Sequence, residues 1–370
     1  MGHKSKLNNS TVMVVLGMHR SGTSALAGAL SFIGVDFGSD DKLIGSSSDS
    51  NIKGHWEHQE IVLLNEQLLS VLGSSWDDFR VIEESDFLSG KVDEIKAKIL
   101  KVLKKDFQGS KLWGLKDPRI CKLLPFWNQV FQEFGVSPLY AHIYRHPDEV
   151  ADSLKKRNGF TKEKSQALWL AYTLSAEKYS RSFPRIHILY ESLLKDWHSL
   201  IGKINSHSNI GLHIDHSQAD RVDIFLSPEL RHSHVKYDKK DLTNKSWVYT
   251  TYRDLIELST GSLDEKTLWS RLDPIYNLFS MASSLFGPMF YDQSSVWNEL
   301  HIVRNKVSDL TSEYKHLEGA YRELEGAYKQ TQSAYEQAFQ AYKHDHHELE
   351  KIKSLIPDME MPVKQWEKYI

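Results

Sequence analysis

Between residues 11 and 206, short apolar runs rich in β-branched residues alternate with longer segments of helical periodicity. The apolar runs predict strands at 11–17, 111–115, 138–144 and 185–190. The periodic segments predict helices at 22–34, 59–72, 92–105, 147–156, 164–179 and 191–204. Strands that alternate with helices of this length favour a doubly wound, mostly parallel α/β sheet with helices on both faces. Ligands of such sheets bind beyond the carboxyl ends of the strands.

The pattern changes to a strict heptad repeat near residue 303. Its d positions are Val303, Leu310, Leu317, Leu324, Thr331 and Ala338, and its a positions are Val307, Tyr314, Tyr321, Tyr328, Tyr335 and Tyr342. The repeat predicts a coiled coil of roughly 80 Å at ~1.5 Å per residue. Gly319 and Gly326 lie inside it, and each glycine costs a helix about 1 kcal/mol relative to alanine. Because the rod then needs a partner strand, we expect a homo-oligomer through residues 303–356, with another protein docking there as the alternative.

Changes in composition divide the chain into four parts. We predict an α/β domain at 10–237, a helical connector at 238–295, the coiled coil at 296–356 and a tail at 357–370. The longest uncharged stretch, 274–291, contains two prolines and Gly287, which argue against a transmembrane helix. The N-terminal residues lack the apolar core of a secretory signal, so we expect a cytoplasmic protein, and peripheral contact with a membrane stays open.

Charge and cysteine content narrow the range of ligands. The 46 basic and 49 acidic residues are well mixed and give a formal net charge of −3, so no nucleic acid partner is expected. The single cysteine, Cys121, excludes an intrachain disulfide and a cysteine-rich zinc site. The HDHH run at 344–347 falls on several helix faces, so we expect no metal site there.

A glycine-rich loop, GMHRSGTS at 17–24, joins the first predicted strand to the first predicted helix. Its glycines have the spacing of a Walker phosphate-binding loop (P-loop), but Thr23 stands where that motif has lysine. A triphosphate and its magnesium are then poorly held, so ATP hydrolysis is disfavoured. The loop N–H groups and the helix dipole still converge on an anion, which suits a single phosphate that is not hydrolysed. The residues of this cradle are Arg20, Ser21, Gly22, Thr23 and Ser24.

Three segments together resemble sulfotransferases that use 3′-phosphoadenosine 5′-phosphosulfate (PAPS). The loop at 17–24 looks like their 5′-phosphosulfate loop, in the Arg-Ser-Gly-Thr version of carbohydrate and tyrosylprotein enzymes and their bacterial relatives. The segment YAHIYRHPDEVADSLKKRNG, at 140–159, is similar to the family's 3′-phosphate motif, with Arg145 at a strand end and Ser153 on the next helix. The segment HILYESLLKDW, at 187–197, resembles the part that follows a core strand, and no chemistry is implied for Tyr190.

The resemblance implies a P-loop-type enzyme that transfers the sulfuryl group of PAPS to a hydroxyl and releases 3′,5′-ADP without a metal. A carbohydrate or glycolipid acceptor is expected. Arg20 is the residue expected to stabilise the leaving phosphate oxygen. A weaker similarity, LSPELRHSH at 226–234, places Arg231 as a basic lid over the donor, although the family's Arg-Lys-Gly signature is absent there.

Two further segments supply candidates for the acceptor side. In GHWEHQEIVLLNEQLL, at 54–69, we expect Glu57 in the first turn of a helix, where it resembles the general base of carbohydrate and tyrosylprotein relatives. Partial burial beside Trp56 would suit that role. His55 is the alternative base, since small-molecule relatives use histidine. The alternative is that Glu57 has no catalytic role and its carboxylate only interacts favourably with the helix dipole, which is at least as common for a glutamate at the start of a helix.

The string Lys-Asp-Pro-Arg at 116–119 follows the second predicted strand and also occurs in bacterial relatives. Lys116 or Arg119 is expected to face the sulfuryl group or the acceptor, whereas Asp117 caps the following helix. The alternative for the whole string is an ion-paired helix start. Two other functions stay open: a P-loop kinase or nucleotide phosphotransferase, and an inactive scaffold that works through its coiled coil.

Overall fold

The computed structural model describes residues 10–45, 54–207, 211–226 and 246–355, apart from the side chains of 207, 288–302, 304, 305 and 308. Arg231 and the predicted tail therefore lie outside the described residues. The chain divides into two compact units, Met1–Ser294 and Ser295–Ile370.

Four parallel strands form one sheet in the order β2-β1-β3-β4. They are β1 Thr11–Leu16, β2 Leu112–Lys116, β3 Ser137–Tyr144 and β4 Arg185–Leu189. Thr11 pairs with Leu112 on one side and with Ser137 on the other, so the strand ends are aligned. The chain leaves β1 for β2 and then crosses β1 to reach β3, and such a reversal opens a crevice at the carboxyl ends of the strands. The predicted mixed α/β fold with a parallel sheet is confirmed.

Helices fill most of the remaining described chain. They are α1 Thr23–Phe32, α2 Gln59–Val71, α3 Gly90–Phe107, α4 Ile120–Phe134, α5 Pro147–Asn158, α6 Lys162–Ser180, α7 Tyr190–Lys195, α8 His198–His207, α9 His216–Phe225, α10 Trp247–Ser259 and α11 Glu265–Leu355. Short 3₁₀ turns occur at Asp40–Lys42 and Glu84–Phe87.

Both faces of the sheet are covered, which explains why β1 is an unbroken apolar run. Val12, Val14 and Leu16 pack into a large cluster with α2, α3, α4, α6 and α10. Met13 and Val15 point the other way, into a second cluster with α1, α8 and α9. All five side chains are fully buried, as the central strand of a doubly covered sheet requires.

The predicted helix at 191–204 is wrong in one respect, because it is two helices, α7 and α8. The chain leaves the helical conformation at Asp196, whose φ is −153° and ψ is 78°. Asp196 Oδ1 then accepts a hydrogen bond from the Ser199 N–H at 3.3 Å, which satisfies a backbone donor in the first turn of α8. The break buries Trp197, whose indole N–H donates to Asp223 Oδ1 at 2.7 Å. Helix α4, which contains Pro125, is the helix expected after Asp117, although its bounds were not predicted.

Helix α11 begins in the predicted connector and continues through the heptad repeat. Its first turns belong to the α/β unit, where Leu268, Leu272 and Tyr276 are buried in the larger cluster. In the second unit the heptad side chains are exposed, as Leu317 and Tyr321 illustrate. Among the described residues, none of the helices combines the length and apolar character that crossing a membrane requires.

Candidate functional site

The loop between β1 and α1 fits tightly against its neighbours, and this requires two glycines. A Cβ at Gly17 would lie 2.7 Å from the carbonyl oxygen of Ile143 on β3. Gly22 has a φ of 94°, and a Cβ there would lie 2.3 Å from the ring of Tyr190. The Gly17 N–H donates to the Cys121 thiol at 3.1 Å. The loop is therefore held from β3, from α7 and from α4, which keeps its remaining N–H groups in place for a ligand.

Arg20 has an unusual backbone conformation. Among the described residues, Arg20 and Trp56 are the non-glycine residues with positive φ, at 69° and 59°. Such a conformation costs of order 1–3 kcal/mol and is concentrated at functional sites. The Arg20 Nε donates to Ser153 Oγ on α5 at 2.8 Å. Burial, and then the nearby Arg145, lower the pKa of Arg20 from its ordinary value.

Arg145 brings the second predicted motif to the same place. It directly follows β3, and its Nη1 donates to the Arg20 carbonyl oxygen at 3.3 Å. Its Nε donates to Glu149 Oε2 at 2.7 Å, and its guanidinium lies 4.7 Å from the centroid of the Tyr190 ring. The structure thus brings Arg20, Arg145 and Ser153 together at the ends of neighbouring strands. The Tyr190 ring packs against both the Arg145 guanidinium and the backbone of Gly22.

The hydroxyl groups of the loop divide into two sets. Ser21 is 1% exposed, and its Oγ has no hydrogen-bond partner in the part of the chain that the structure describes. An unpaired buried hydroxyl is uncommon in a folded protein, and the Ser21 hydroxyl is therefore available to a ligand or water oxygen. Ser24 Oγ instead accepts a hydrogen bond from Lys116 Nζ at 3.1 Å. Thr23, in the place of the Walker lysine, is buried.

Lys116, at the end of β2, links this loop to Glu57. Its ammonium donates to Glu57 Oε1 at 2.5 Å, to the His55 carbonyl oxygen at 3.0 Å and to Ser24 Oγ at 3.1 Å. Glu57 and Lys116 are 6% and 4% exposed, so this ion pair is almost entirely removed from water. Arg119 Nη1 lies 3.8 Å from the other carboxylate oxygen of Glu57.

The expectation that Glu57 lies in the first turn of a helix is wrong. Helix α2 begins at Gln59, and Glu57 lies in the extended segment before it, where its carbonyl accepts from the Ile44 N–H at 2.8 Å. The residues on both sides of Trp56 lie alongside Ile44, because the His55 N–H also donates to the Ile44 carbonyl oxygen at 3.3 Å. The Trp56 ring packs edge-on against Phe32 and Phe225, in an aromatic cluster over α1. The direct partner of the Glu57 carboxylate is the Lys116 ammonium.

His55 stays a candidate base on the same segment. Burial, followed by the positive charge of Lys116, lowers the pKa of the His55 ring from its ordinary value. At neutral pH the ring is then in the uncharged form that a base requires.

The Lys-Asp-Pro-Arg string has two different roles. Asp117 Oδ1 accepts from the Arg119 N–H at 3.0 Å, and its Oδ2 accepts from Asn65 Nδ2 at 2.8 Å, so Asp117 holds the start of α4. Arg119 Nε donates to Glu66 Oε1 at 2.5 Å. Burial opposes the charge of Arg119, but the neighbouring carboxylates outweigh it and raise the pKa of the guanidinium. An ion-paired helix start therefore describes Asp117 and Arg119, whereas Lys116 points to Glu57.

Two residues that sequence reasoning missed lie beside this cluster. The His19 ring packs edge-on against Trp76, with 4.9 Å between centroids, and its Nε2 is buried without a partner among the described residues. Burial, with Arg119, Arg157 and Lys116 after it, lowers the pKa of His19 well below its ordinary value. Arg157 is four residues beyond Ser153 on α5 and therefore on the same helix face. The four-residue spacing from Ser153, and the position of His19 inside the phosphate-binding loop, are sequence features that could have identified these two residues as candidates.

The chain was compared with protein-family models and with curated proteins, and neither comparison gave a match. The chemistry of the site is therefore inferred from its own geometry and from the motifs that it brings together.

Proposed function

We propose that the protein is a PAPS-dependent sulfotransferase with a P-loop-type α/β domain. The observation that carries this proposal is the meeting of two motifs that are about 120 residues apart in the sequence. Arg20 Nε bonds to Ser153 Oγ at 2.8 Å, and Arg145 Nη1 bonds to the Arg20 carbonyl at 3.3 Å. PAPS has phosphates at both ends of its ribose, and two adjacent donor clusters match that distribution of charge.

The chemistry is an in-line displacement on sulfur. The acceptor hydroxyl oxygen forms a bond to sulfur while the bond from sulfur to the bridging phosphate oxygen breaks, and that oxygen keeps the electron pair. Arg20 and the loop N–H groups stabilise the charge that develops there. Glu57 takes the hydroxyl proton, and His55 is the alternative acceptor. Lys116 contacts both Ser24 of the loop and Glu57, so it links the donor side of the site to the acceptor side.

The proposal extends to the acceptor and to assembly. A carbohydrate or glycolipid hydroxyl is the proposed acceptor. The heptad segment at 303–356 forms a coiled coil with another copy of the chain, because its apolar face is exposed along the whole described repeat.

Binding of 3′,5′-ADP tests the proposal directly. We expect isothermal titration calorimetry to show binding of 3′,5′-ADP by the full chain, and no comparable binding of Mg-ATP. Arg20→Ala should weaken 3′,5′-ADP binding by about 10- to 100-fold, the range for one hydrogen bond to a charged group. Arg322→Ala is the matched control, because this arginine is exposed on the second unit and pairs with Glu318, one turn away on the same helix. Tight Mg-ATP binding would instead favour a kinase, and binding of neither nucleotide would favour a scaffold.

A further inference from the structure

Arg157 has an unmatched positive charge next to the proposed site. Lys116, Arg119 and Arg145 each have a carboxylate within a salt-bridge distance. Arg157 has none within the described ranges, and its Nε donates to the uncharged side chain of Asn158 at 2.6 Å. Its guanidinium is half-buried over the Trp76 ring, 5.3 Å from the ring centroid. A half-buried guanidinium of this kind is a strong binding group for an anion from outside the chain.

The surroundings of Arg157 form a partly aromatic wall. Trp76 stacks on Phe160 with 5.7 Å between ring centroids, and the Tyr172 hydroxyl fixes the Trp76 carbonyl at 2.6 Å. The His19 ring, whose Nε2 has no partner among the described residues, packs edge-on against the same indole. Burial, and then repulsion from Arg20, lower the pKa of Arg157 to about 10, and Glu57 acts in the opposite direction. Arg157 is thus close enough to Glu57 to interact with it electrostatically.

We propose that Arg157 binds an anionic group of the acceptor, a carboxylate, phosphate or sulfate carried on the same sugar as the reacting hydroxyl. This rests on the proposed function, in which Arg20 and Arg145 already supply donors for the two phosphates of the nucleotide. The aromatic wall suits a sugar ring. Lys164 also lies against this wall, 4.1 Å from the centroid of the Phe160 ring, but its ammonium is paired with Asp77, which leaves Arg157 to bind the anionic substituent. The acceptor is then a uronate or an already phosphorylated or sulfated sugar, not a neutral one.

The test uses the full chain and a matched series of glucosides. Binding of methyl β-D-glucuronide, and of the 6-phosphate and the 6-sulfate of methyl β-D-glucoside, is compared with that of methyl β-D-glucoside itself by saturation-transfer NMR and calorimetry. We expect at least one anionic sugar to bind about 10- to 100-fold more tightly than the neutral glucoside, and Arg157→Ala to remove that preference. Lys156→Ala, an exposed cation on the adjacent position of α5, should keep it.

Two results would overturn the assignment of Arg157: no anionic sugar binds better than the neutral glucoside, or Arg157→Ala weakens 3′,5′-ADP as much as Arg20→Ala does. The second result would place Arg157 in the nucleotide site. Failure of the wild-type chain to bind 3′,5′-ADP would refute the sulfotransferase proposal. It would not refute the preference of Arg157 for an anionic sugar, because that preference is measured without nucleotide.

The heptad face supports a second inference, about the orientation of the coiled coil. Val307, Leu317 and Tyr321 are 56%, 69% and 67% exposed, so this face has room for a partner helix. In a parallel pair in register, each core residue faces its own copy. The five a-position tyrosines would then form tyrosine pairs, and Asp345, which continues the d series, would face a second carboxylate. Two carboxylates facing each other in a core are repulsive.

An antiparallel pair centred between Tyr328 and Thr331 removes both conflicts. Each a position then faces a d position of the other copy. The layers formed in this way are Tyr328 with Thr331, Tyr335 with Leu324, Tyr321 with Ala338, Tyr342 with Leu317, Tyr314 with Asp345, Leu349 with Leu310, and Val307 with Ile352. Every tyrosine faces a smaller or aliphatic residue, the Tyr314 hydroxyl is placed to donate to Asp345, and aliphatic layers close both ends.

We infer that the occupant of this face is a second copy of the chain in that antiparallel register. Spin labels at exposed outer positions test it in the full chain by inter-label distance. Labels on Ser312→Cys should lie about 50 Å apart at ~1.5 Å per residue, whereas a parallel pair would place them about 20 Å apart. Labels on Ser333→Cys, near the centre, should lie about 20 Å apart in either orientation and serve as the control. A short distance at position 312, or a monomer in sedimentation, would overturn the inference.

Discussion

The buried ion pair between Lys116 and Glu57 gives a prediction whose size follows from its geometry. Lys116→Met removes the ammonium and leaves a carboxylate that is 6% exposed. Removing one partner of a buried pair costs about 3–5 kcal/mol of unfolding free energy. Because Arg119 still lies 3.8 Å from Glu57, we expect the lower end, about 3 kcal/mol. For a domain of this size, that lowers the Tm by roughly 6–12 °C.

Glu57→Gln keeps the shape of the side chain, and Lys116 retains its bonds to Ser24 and to the His55 carbonyl. We expect a smaller loss of stability, about 1–3 kcal/mol, and a Lys116→Met/Glu57→Gln chain that is more stable than Lys116→Met alone. The assay is thermal and urea unfolding followed by circular dichroism. Lys105→Met is the control, because its pair with Glu60 is about half exposed and is worth only ~0–1 kcal/mol. A Tm for Lys116→Met equal to that of the control would refute the reasoning.

Two other predictions concern the loop and the core. Gly22→Ala should lower the unfolding free energy by about 2–4 kcal/mol, because it combines a positive φ with a clash against Tyr190. Gly34 has a φ of 101° but open space around it, so Gly34→Ala should lose only the cost of the backbone conformation, about 1 kcal/mol. Equal urea midpoints for the two variants would contradict the clash. Burial lowers the pKa of His142 to about 3, so the unfolded chain binds more protons than the folded chain between pH 6.5 and 3. The free energy of unfolding should therefore decrease as the pH is lowered from 6.5 to 3. His142→Gln should reduce the pH dependence of the urea midpoint in this range, and an unchanged pH profile would show that His142 is not responsible.

The sheet could be predicted because its signal is local. Each strand is an apolar run between helical patterns, and the predicted strands agree with the observed ones within a residue or two at each end. The helix at 191–204 could not be divided in advance, because its break depends on the burial of Trp197 against Asp223, a contact made only in the fold. A helix was expected after Asp117, but the extent of α4 could not be predicted, because Pro125 lies inside it and a proline usually argues against a helix.

The candidate site could be predicted where a motif carried it, as for Arg20, Arg145 and Ser153. The partner of Lys116 could not be predicted, because Glu57 lies about sixty residues away along the chain and the two side chains meet only in the fold. Arg157 was missed for a related reason: a lysine- and arginine-rich helix end usually complements the helix dipole, and only the packing of Trp76 distinguishes this arginine from its neighbours.

The bond from the Gly17 N–H to Cys121 makes the thiol a reporter of how often the loop opens. Burial raises the pKa of Cys121 to about 12, so the closed state presents no reactive thiolate to solvent at neutral pH. Alkylation of the intact protein must then proceed through a transient local opening. The rate of labelling therefore measures the free energy of that opening without any engineered probe, and a compound that occupies the loop should slow the labelling in proportion to its affinity.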